Sequence, residues 1–245
     1  MKKTKMKQLL KHGLWVYLCM YVLSGQAKAD SMADAFLAYE EGNYAKAATL
    51  FREQADQGNA VAQARLGAQY EQGKGVPQDF KEAYKWIHLS VAQGNADAQF
   101  TLGWMYELGE GVPQDTKEAI NWYRRSAVNG NAGAQLSLGT RYLTGLSVPQ
   151  DFKEALKWHR LSAEQGNVYS QFSLGSMYAH GQGVPKNFVV GHMWTNICSA
   201  NAADFEFLQL SIKLRDSLAK EMTAKQIAEA QELARKCTAN KFKGC

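Results

Sequence analysis

Ser217 and Lys220 are the two residues whose spacing most resembles a catalytic pair. In an S-x-x-K motif on a helix, the lysine lies one turn from the serine and can act as the base for a serine nucleophile, as in enzymes that react with penicillins. The companion motifs of those enzymes, S-D-N and K-T-G, occur nowhere in the 245 residues. We therefore expect Ser217 and Lys220 to lie on a polar helix face, and we predict no catalytic residue.

Histidines and glycines also show no pattern of a metal or nucleotide site. Four histidines follow residue 29, none with a histidine four residues away and none in an H-E-x-x-H motif: His88, His159, His180 and His192. The turn Gly73–Gly75 lacks the third glycine of a dinucleotide-binding motif and the Gly-Lys-Ser/Thr of a P-loop. The sequence predicts neither metal nor cofactor.

The N-terminus has the pattern of a secretory signal peptide. Five lysines within the first eleven residues precede the apolar run Leu14–Leu23, and Ala27 and Ala29 form a small-x-small cleavage site. A bilayer span takes about twenty apolar residues, so this run of about ten is too short to be one. We expect residues 1–29 to be cleaved, no stable membrane span, and a periplasmic or secreted protein.

Loss of residues 1–29 would change the charge of the chain. The full sequence has 28 basic and 23 acidic residues, a formal net charge of +5, but six of the lysines and none of the acids lie in this leader. The remaining chain has 22 basic and 23 acidic residues, a net charge of −1. Nucleic-acid-binding domains usually have a basic excess, so we expect no nucleic-acid partner.

Three cysteines lie beyond the leader: Cys198, Cys237 and Cys245. Closely spaced cysteines of exported proteins are usually bridged, and Cys237 and Cys245 enclose only seven residues. Zinc binding is the alternative, although no histidine or further cysteine stands nearby to complete four ligands. We expect a Cys237–Cys245 disulfide, with Cys198 as a small buried thiol.

Most of the remaining sequence repeats every 36 residues. All four prolines follow this interval, at Pro77, Pro113, Pro149 and Pro185. Glycines keep it at Gly67, Gly103, Gly139 and Gly175. Tryptophans keep it at Trp86, Trp122, Trp158 and Trp194. A fixed period of this length is typical of a solenoid, and it divides the chain into the rows 62–97, 98–133, 134–169 and 170–205.

Each row reads as two amphipathic helices joined by a turn. Apolar positions recur at helical spacing on both sides of the Gly-x-Gly-Val-Pro turn, and Asp79 with Glu82 resembles a capping box for the second helix. Gly67 lies inside the first helix, where glycine costs about 1 kcal/mol relative to alanine. We expect close approach of the neighbouring helix to offset this cost, and we expect the tryptophans to be buried between adjacent repeats.

The pattern A-x-x-x-L-G-x-x-Y-x-x-G-x-G-V-x-x-D-x-x-x-A-x-x-W resembles the Sel-1-like repeat, a relative of the tetratricopeptide repeat. The second row matches at Ala98, Leu102, Gly103, Tyr106, Gly109, Gly111, Val112, Asp115, Ala119 and Trp122. The resemblance covers about 62–205 and implies an all-α, right-handed alpha-alpha superhelical solenoid. Ser147 and Gly191 depart from the pattern, at the second glycine of the third turn and at a helical alanine.

The flanking segments resemble the ends of such an array. Residues 30–61 look like a degenerate N-terminal helix pair of tetratricopeptide type. Residues 206–245 look like C-terminal capping helices, of which the last is expected to begin at Thr223 with Gln226 completing a capping box. The tail with Cys237 and Cys245 resembles the C-terminus of exported bacterial members of the family.

The resemblance implies a non-catalytic protein–protein interaction adaptor of the cell envelope. In tetratricopeptide-like arrays the first helices line the concave surface, and Trp104 would lie there. It falls outside the packing column, the tryptophans spaced by 36 residues at Trp86, Trp122, Trp158 and Trp194. Exposed aromatic side chains dominate binding hot spots, so Trp104 is the candidate partner-binding residue, with the filling of a gap between first helices as the alternative. His88, Arg124 and Arg160 would form a polar stripe on the second helices, which we expect to be an ordinary solvated face.

Two other functions stay open. A peptidoglycan- or glycan-binding module would use Trp104 and neighbouring tyrosines as stacking platforms. A β-lactam-interacting hydrolase is suggested by cysteine-rich relatives of the family, but the cysteine pair in each repeat that marks those relatives is missing here.

Overall fold

The structure, a computed structural model, describes residues 31–245. The predicted leader, with its cleavage residues Ala27 and Ala29, lies outside the described residues. All regular elements from residue 31 onward are helices, twelve in number and without a strand, so the fold is an all-α helical repeat solenoid. None of the helices in this part of the chain is long and apolar enough to cross a bilayer.

The chain divides into two compact units, of which the first ends at Asn95. Its helices are α1 (residues 31–40), α2 (Tyr44–Asp56), α3 (Ala60–Gln72) and α4 (Phe80–Ala92). The core of this unit is formed by small residues of α1 and α2 around Phe51, together with Leu66 and Trp86. Residues 31–40 and 44–56 are therefore helical, with a turn at 41–43.

The second unit covers Ala96–Cys245 and contains three helix pairs and two further helices. The pairs are α5 (Ala96–Leu108) with α6 (Thr116–Val128), α7 (Ala132–Thr144) with α8 (Phe152–Ala163), and α9 (Val168–His180) with α10 (Phe188–Asn201). The last helices are α11 (Phe205–Lys220) and α12 (Ala224–Ala239). The helix pairs begin two residues before the predicted rows.

Asparagine and aspartate side chains start the helices. Asn131 and Asn167 accept hydrogen bonds from the backbone N–H groups of Ala134 and Ser170, so the first helix of a pair begins directly after this residue. Asp115 starts the second helix by accepting from two backbone N–H groups, but the predicted reciprocal bond of a capping box does not form there. The N–H of Asp115 instead donates to the carbonyl of Tyr106, at 2.8 Å.

The glycines inside the first helices mark where the two helices of a pair cross. A Cβ at Gly103 would lie 2.5 Å from a ring carbon of Tyr123, and a Cβ at Gly139 would lie 2.9 Å from the His159 ring. The corresponding contacts are Gly67 with Ile87 and Gly175 with Thr195. The predicted close approach of a neighbouring helix is confirmed, and it occurs between the two helices of one repeat.

The tryptophan column is less uniform than predicted. Trp86, Trp158 and Trp194 are buried, with 6, 8 and 0 % of their surface exposed. Trp122 is only half-buried, and the Arg125 guanidinium carbon lies 4.6 Å from its ring centroid. Trp122 thus departs from the expected burial, although the residue after it, Tyr123, packs against Gly103 as Ile87 packs against Gly67 in the first repeat.

Polar side chains tie the helices together at the same interval of 36 residues. Ser126 Oγ donates to the carbonyl of Ala96 at 2.6 Å, and Ser162 Oγ donates to that of Ala132 at 2.8 Å. Cys198 takes the same position in the fourth repeat, where its thiol lies 3.3 Å from the carbonyl of Val168. Cys198 is free and fully buried, as predicted, and burial raises the pKa of its thiol to about 11.

The C-terminal helices cap the array differently from a further repeat. Both α11 and α12 pack against α10. Thr223 and Gln226 form the predicted capping box at the start of α12. The sulfur atoms of Cys237 and Cys245 lie 2.04 Å apart, a disulfide-bond distance.

Candidate functional site

The candidate site is one stripe along the first helices of the second unit. Its residues recur at i, i+4, i+7 and i+11 on α5, α7 and α9, so each helix presents them on one side. We call these positions the first-helix face: Asp97, Thr101, Trp104, Leu108, Gly133, Ser137, Thr140, Thr144, Tyr169, Ser173, Ser176 and His180. Each of these residues is exposed or half-buried, and none is buried.

Trp104 is the largest exposed side chain of α5. Its exposed fraction is 42 %, and its ring packs edge-on against Phe100 with centroids 6.1 Å apart. Leu108, one turn further along the helix, is 53 % exposed. Trp104 therefore rests against Phe100 and leaves 42 % of its surface exposed.

Three contacts hold α5 beside α7. The Asn131 side chain donates to Asp97 Oδ1 at 2.7 Å, and Arg141 forms an ion pair with Glu107. At Gly133, a Cβ would lie 3.0 Å from the ring of Phe100. The small residue at 133 thus lets the aromatic cluster of α5 lie directly against α7.

Glu107 and Arg141 belong to a polar network that includes Tyr123. The Tyr123 hydroxyl donates to Glu107 Oε2 at 2.6 Å, and the Arg141 guanidinium carbon lies 5.4 Å from the Tyr123 ring centroid. Burial acts to raise the pKa of Glu107, but the hydrogen bonds from Tyr123 and Arg141 outweigh it and hold this pKa below its usual value. Burial and the Glu107 carboxylate raise the pKa of Tyr123 above its usual range. The network is thus an ionised carboxylate paired with a cation.

Aromatic residues also stand at the other end of the first-helix face. Tyr169 on α9 is 51 % exposed, and its ring centroid lies 4.6 Å from that of Phe207 on α11. Phe172 contacts the same ring at 5.5 Å. Sequence reasoning named Trp104 and missed Leu108 and Tyr169, although all three fall in columns of the 36-residue repeat that could have been tested for unusual apolar residues.

Ser217 and Lys220 lie on α11. Both side chains are exposed on α11, and no hydrogen bond joins them within residues 31–245. This part of the chain also contains no group of three or more His, Cys, Asp or Glu side chains that could hold a metal ion. Ser217 and Lys220 therefore lie on a polar helix face.

Two of the four histidines are core residues, which the sequence did not indicate. His159 is fully buried against Gly139, its Nδ1 lies 3.4 Å from Ser170 Oγ, and its Nε2 has no hydrogen-bond partner. Burial lowers the pKa of His159 to about 4. His192 is buried as well, and burial together with nearby Arg215 lowers its pKa. Both histidines are neutral at pH 7.

In the predicted polar stripe on the second helices, His88 and Arg124 are exposed and Arg160 is half-buried, and both arginines also bond to a neighbouring helix. Arg124 donates to the Tyr142 hydroxyl at 3.2 Å, and Arg160 donates to that of Tyr178 at 2.5 Å. His88 is exposed, with its ring 5.5 Å from that of Tyr84. The two arginines therefore join the second helix of one repeat to the first helix of the next.

A cavity of about 310 Å³ lies beside the C-terminal sulfur pair. Val190, Met193 and Leu233 form its apolar part, and Lys236 and Lys243 lie among its other lining residues. It contains no nucleophile paired with a base and is not part of the first-helix face.

The helix pairs match the family model of the Sel1 repeat at residues 60–95, 96–131, 132–167 and 168–196. These bounds coincide with the starts of α3, α5, α7 and α9. The chain belongs to the Sel1 repeat family. Proteins of this family generally serve as scaffolds for protein–protein interaction, and its repeats are typically non-catalytic. Both statements describe the family and identify no partner of this chain.

Solved structures of Sel1 repeat proteins resemble the chain. A Sel1 repeat protein from Oxalobacter formigenes is 37 % identical, with a TM-score of 0.64 over 70 % of this chain and 49 % of that protein. A protective antigen present in uropathogenic Escherichia coli strains, displaying an SLR fold, is 28 % identical, with a TM-score of 0.54 over 88 % of this chain and 55 % of that one. The chain thus spans about half the length of these two relatives.

A Sel1 repeat protein from Klebsiella pneumoniae is 20 % identical, with a TM-score of 0.51 over 78 % of this chain and 93 % of that one. At this identity the likeness concerns the fold alone. No curated protein matches the chain.

Proposed function

We propose that this chain is an exported, non-catalytic adaptor of the bacterial cell envelope that binds a partner protein on the first-helix face. The observation that carries the proposal is the placement of Trp104. It is 42 % exposed on a first helix, whereas Trp86, Trp158 and Trp194 are buried in the packing column. A large, solvent-exposed aromatic side chain beside an exposed leucine is typical of a binding hot spot.

The rest of the first-helix face supports binding rather than chemistry. Its side chains include the exposed rings of Trp104 and Tyr169 and several hydroxyl groups. Ser176 Oγ lies 3.4 Å from His180 Nδ1, but the same nitrogen lies 2.8 Å from the Ser176 carbonyl, to which it can bond only as a donor, so it is not placed as a base for that hydroxyl. The helices beneath it are held in place by the Glu107–Arg141 ion pair and by the Asp97–Asn131 hydrogen bond. A preorganised surface of this kind loses little conformational freedom when a partner binds, which favours affinity.

Export rests on the leader pattern of residues 1–29 and on the cysteine pair. A disulfide between Cys237 and Cys245 is favoured in an oxidising compartment, and the E. coli relative described above is a protective antigen. The intact mass of the exported protein should be two hydrogens lower without reductant than with it. Alkylation of both cysteines in the unreduced protein would contradict the disulfide.

Photocrosslinking in cells tests the binding proposal. A photoreactive amino acid placed at position 104 should capture one protein, identified by mass spectrometry. The matched control is Lys153, which is exposed on the second helix α8 of the same unit and faces away from the core. Equal capture from positions 104 and 153 would show that Trp104 does not mark the binding surface.

A further inference from the structure

Charge is distributed unevenly between the two kinds of helix in the second unit. The first helices α5, α7 and α9 contain three Asp, Glu, Lys or Arg residues among 39, namely Asp97, Glu107 and Arg141. The second helices α6, α8 and α10 contain eight such residues among 39, all of them on α6 and α8. The surface presented by the first helices is therefore the less charged side of this unit.

The few charges near the first-helix face are already bound within the protein. Glu107 and Arg141 pair with each other, and the Arg141 residue is only 7 % exposed. Asp97 accepts a hydrogen bond from Asn131, and His180 Nδ1 lies 2.8 Å from the carbonyl of Ser176. The first-helix face includes no lysine or arginine among its twelve positions. Apart from Asp97 in the first turn of α5, the twelve positions include no Asp, Glu, Lys or Arg that would compensate a charge buried by a partner.

Side-chain size varies across the face in a regular way. Trp104 and Leu108 stand along α5, and the aromatic ring of Tyr169 stands on α9. Between them, α7 presents only small residues, among them Gly133 and Thr140. Large residues therefore border a central helix with small ones, an arrangement that suits an extended segment lying across α7.

We infer that the occupant of the first-helix face is an uncharged segment of a partner protein that inserts an apolar side chain beside Trp104 and Leu108. The inference rests on the proposed function and specifies the chemistry of its partner. A protein segment fits better than a glycan. The hydroxyl groups of the face can pair with sugar hydroxyls and with a peptide backbone alike, so the choice rests on its apolar part, Trp104 with Leu108. Leu108 matches an aliphatic or aromatic side chain.

A charge scan at Thr140, combined with a peptide library, tests this inference. Random peptides displayed on phage are selected on the full chain, and the binding of the enriched peptides is measured at low and high salt. Thr140→Glu and Thr140→Lys should each weaken binding about tenfold, because either charge would be buried without a counter-ion. Thr140→Val is the neutral control of equal size and should retain binding. Salt should change the affinity less than about twofold.

The outcomes separate the inference from the proposed function. Uncharged peptides with apolar anchors that lose affinity in both charged variants and in Trp104→Ala support the inference. The inference would be overturned by charged peptides that lose affinity in Trp104→Ala and whose affinity changes in opposite directions in Thr140→Glu and Thr140→Lys. The proposed binding surface would still stand. Peptides whose affinity changes in neither the Thr140 variants nor Trp104→Ala would contradict binding at the first-helix face. Trp104-dependent binding to a glycan array, with no peptide enriched, would overturn the inference in favour of a carbohydrate.

Discussion

His159 should make the stability of the protein depend on pH. The residue is fully buried, its Nε2 has no hydrogen-bond partner, and burial lowers its pKa to about 4. In the unfolded chain a histidine has a pKa of about 6.5. The unfolded state therefore binds a proton more readily, so stability is complete above pH 6.5 and decreases as the pH falls towards 4.

The size of the effect follows from the two pKa values. The difference of about 2.5 units corresponds to about 3.4 kcal/mol when both states are fully protonated, at about 1.4 kcal/mol per unit. Between pH 7 and pH 5, where most carboxyl groups remain ionised, the expected loss is about 2 kcal/mol. This pH range therefore separates the protonation of His159 from that of most carboxyl groups.

Urea unfolding at several pH values, followed by circular dichroism, measures this loss. The matched variant is His159→Ile, because the equivalent position of the first repeat is Ile87, which packs against Gly67 as His159 packs against Gly139. His192 is present in both proteins, so its contribution cancels in the difference. The free energy of unfolding of the wild type should fall by about 2 kcal/mol more than that of the variant. A difference independent of pH would refute the argument that His159 is buried in its neutral form.

Four further substitutions test the packing and one backbone conformation. Gly103→Ala should lower the free energy of unfolding by about 1–2 kcal/mol, because its Cβ would lie 2.5 Å from the Tyr123 ring; thermal melting checks this, and an unchanged melting temperature would contradict the close approach. Ser147→Gly should stabilise the protein by about 0.5–1 kcal/mol, since Ser147 has a φ of 61°; a lower melting temperature would oppose this reading. In urea unfolding, Trp194→Ala should lower the free energy of unfolding by about 3–5 kcal/mol, because Trp194 is fully buried. Trp122→Ala should lower it by less than about 2 kcal/mol, because Trp122 is half-buried. Equal losses in the two variants would be inconsistent with this difference in burial.

The repeat and its helix boundaries could be predicted from the sequence because they depend on local signals. Proline, glycine and capping residues act within a few positions of where they stand, and a 36-residue period shows them four times. The start of α12 at Thr223 is such a case. The close approach at Gly103 was also predictable, because a glycine inside a helix needs a packing reason.

Burial of individual columns was less predictable, because it depends on how helices rotate against each other. The residue after the tryptophan packs against the helical glycine in all four repeats, yet Trp122 is half-buried where Trp86, Trp158 and Trp194 are buried. A column of glutamines was missed for a related reason. Gln99 and Gln135 are buried and accept hydrogen bonds from Asn129 and Gln165 at 2.9 and 2.8 Å, although glutamine is usually a surface residue.

The candidate site was predicted only in part. Trp104 was identifiable because it interrupts a column of small residues, whereas the roles of Leu108 and Tyr169 depend on exposure, which the sequence does not report. The near absence of charge on the first helices is visible in the sequence once the helix bounds are known.

Crosslinking from Thr140 with and without Trp104 tests the central claim most directly. Thr140 occupies the equivalent position to Trp104 on the next first helix, and its side chain is exposed. A photoreactive group at position 140 should capture the same partner as one at position 104, and Trp104→Ala should abolish that adduct while leaving the fold intact by circular dichroism. An adduct of undiminished yield in the Trp104→Ala background would contradict the claim that this face binds its partner through Trp104.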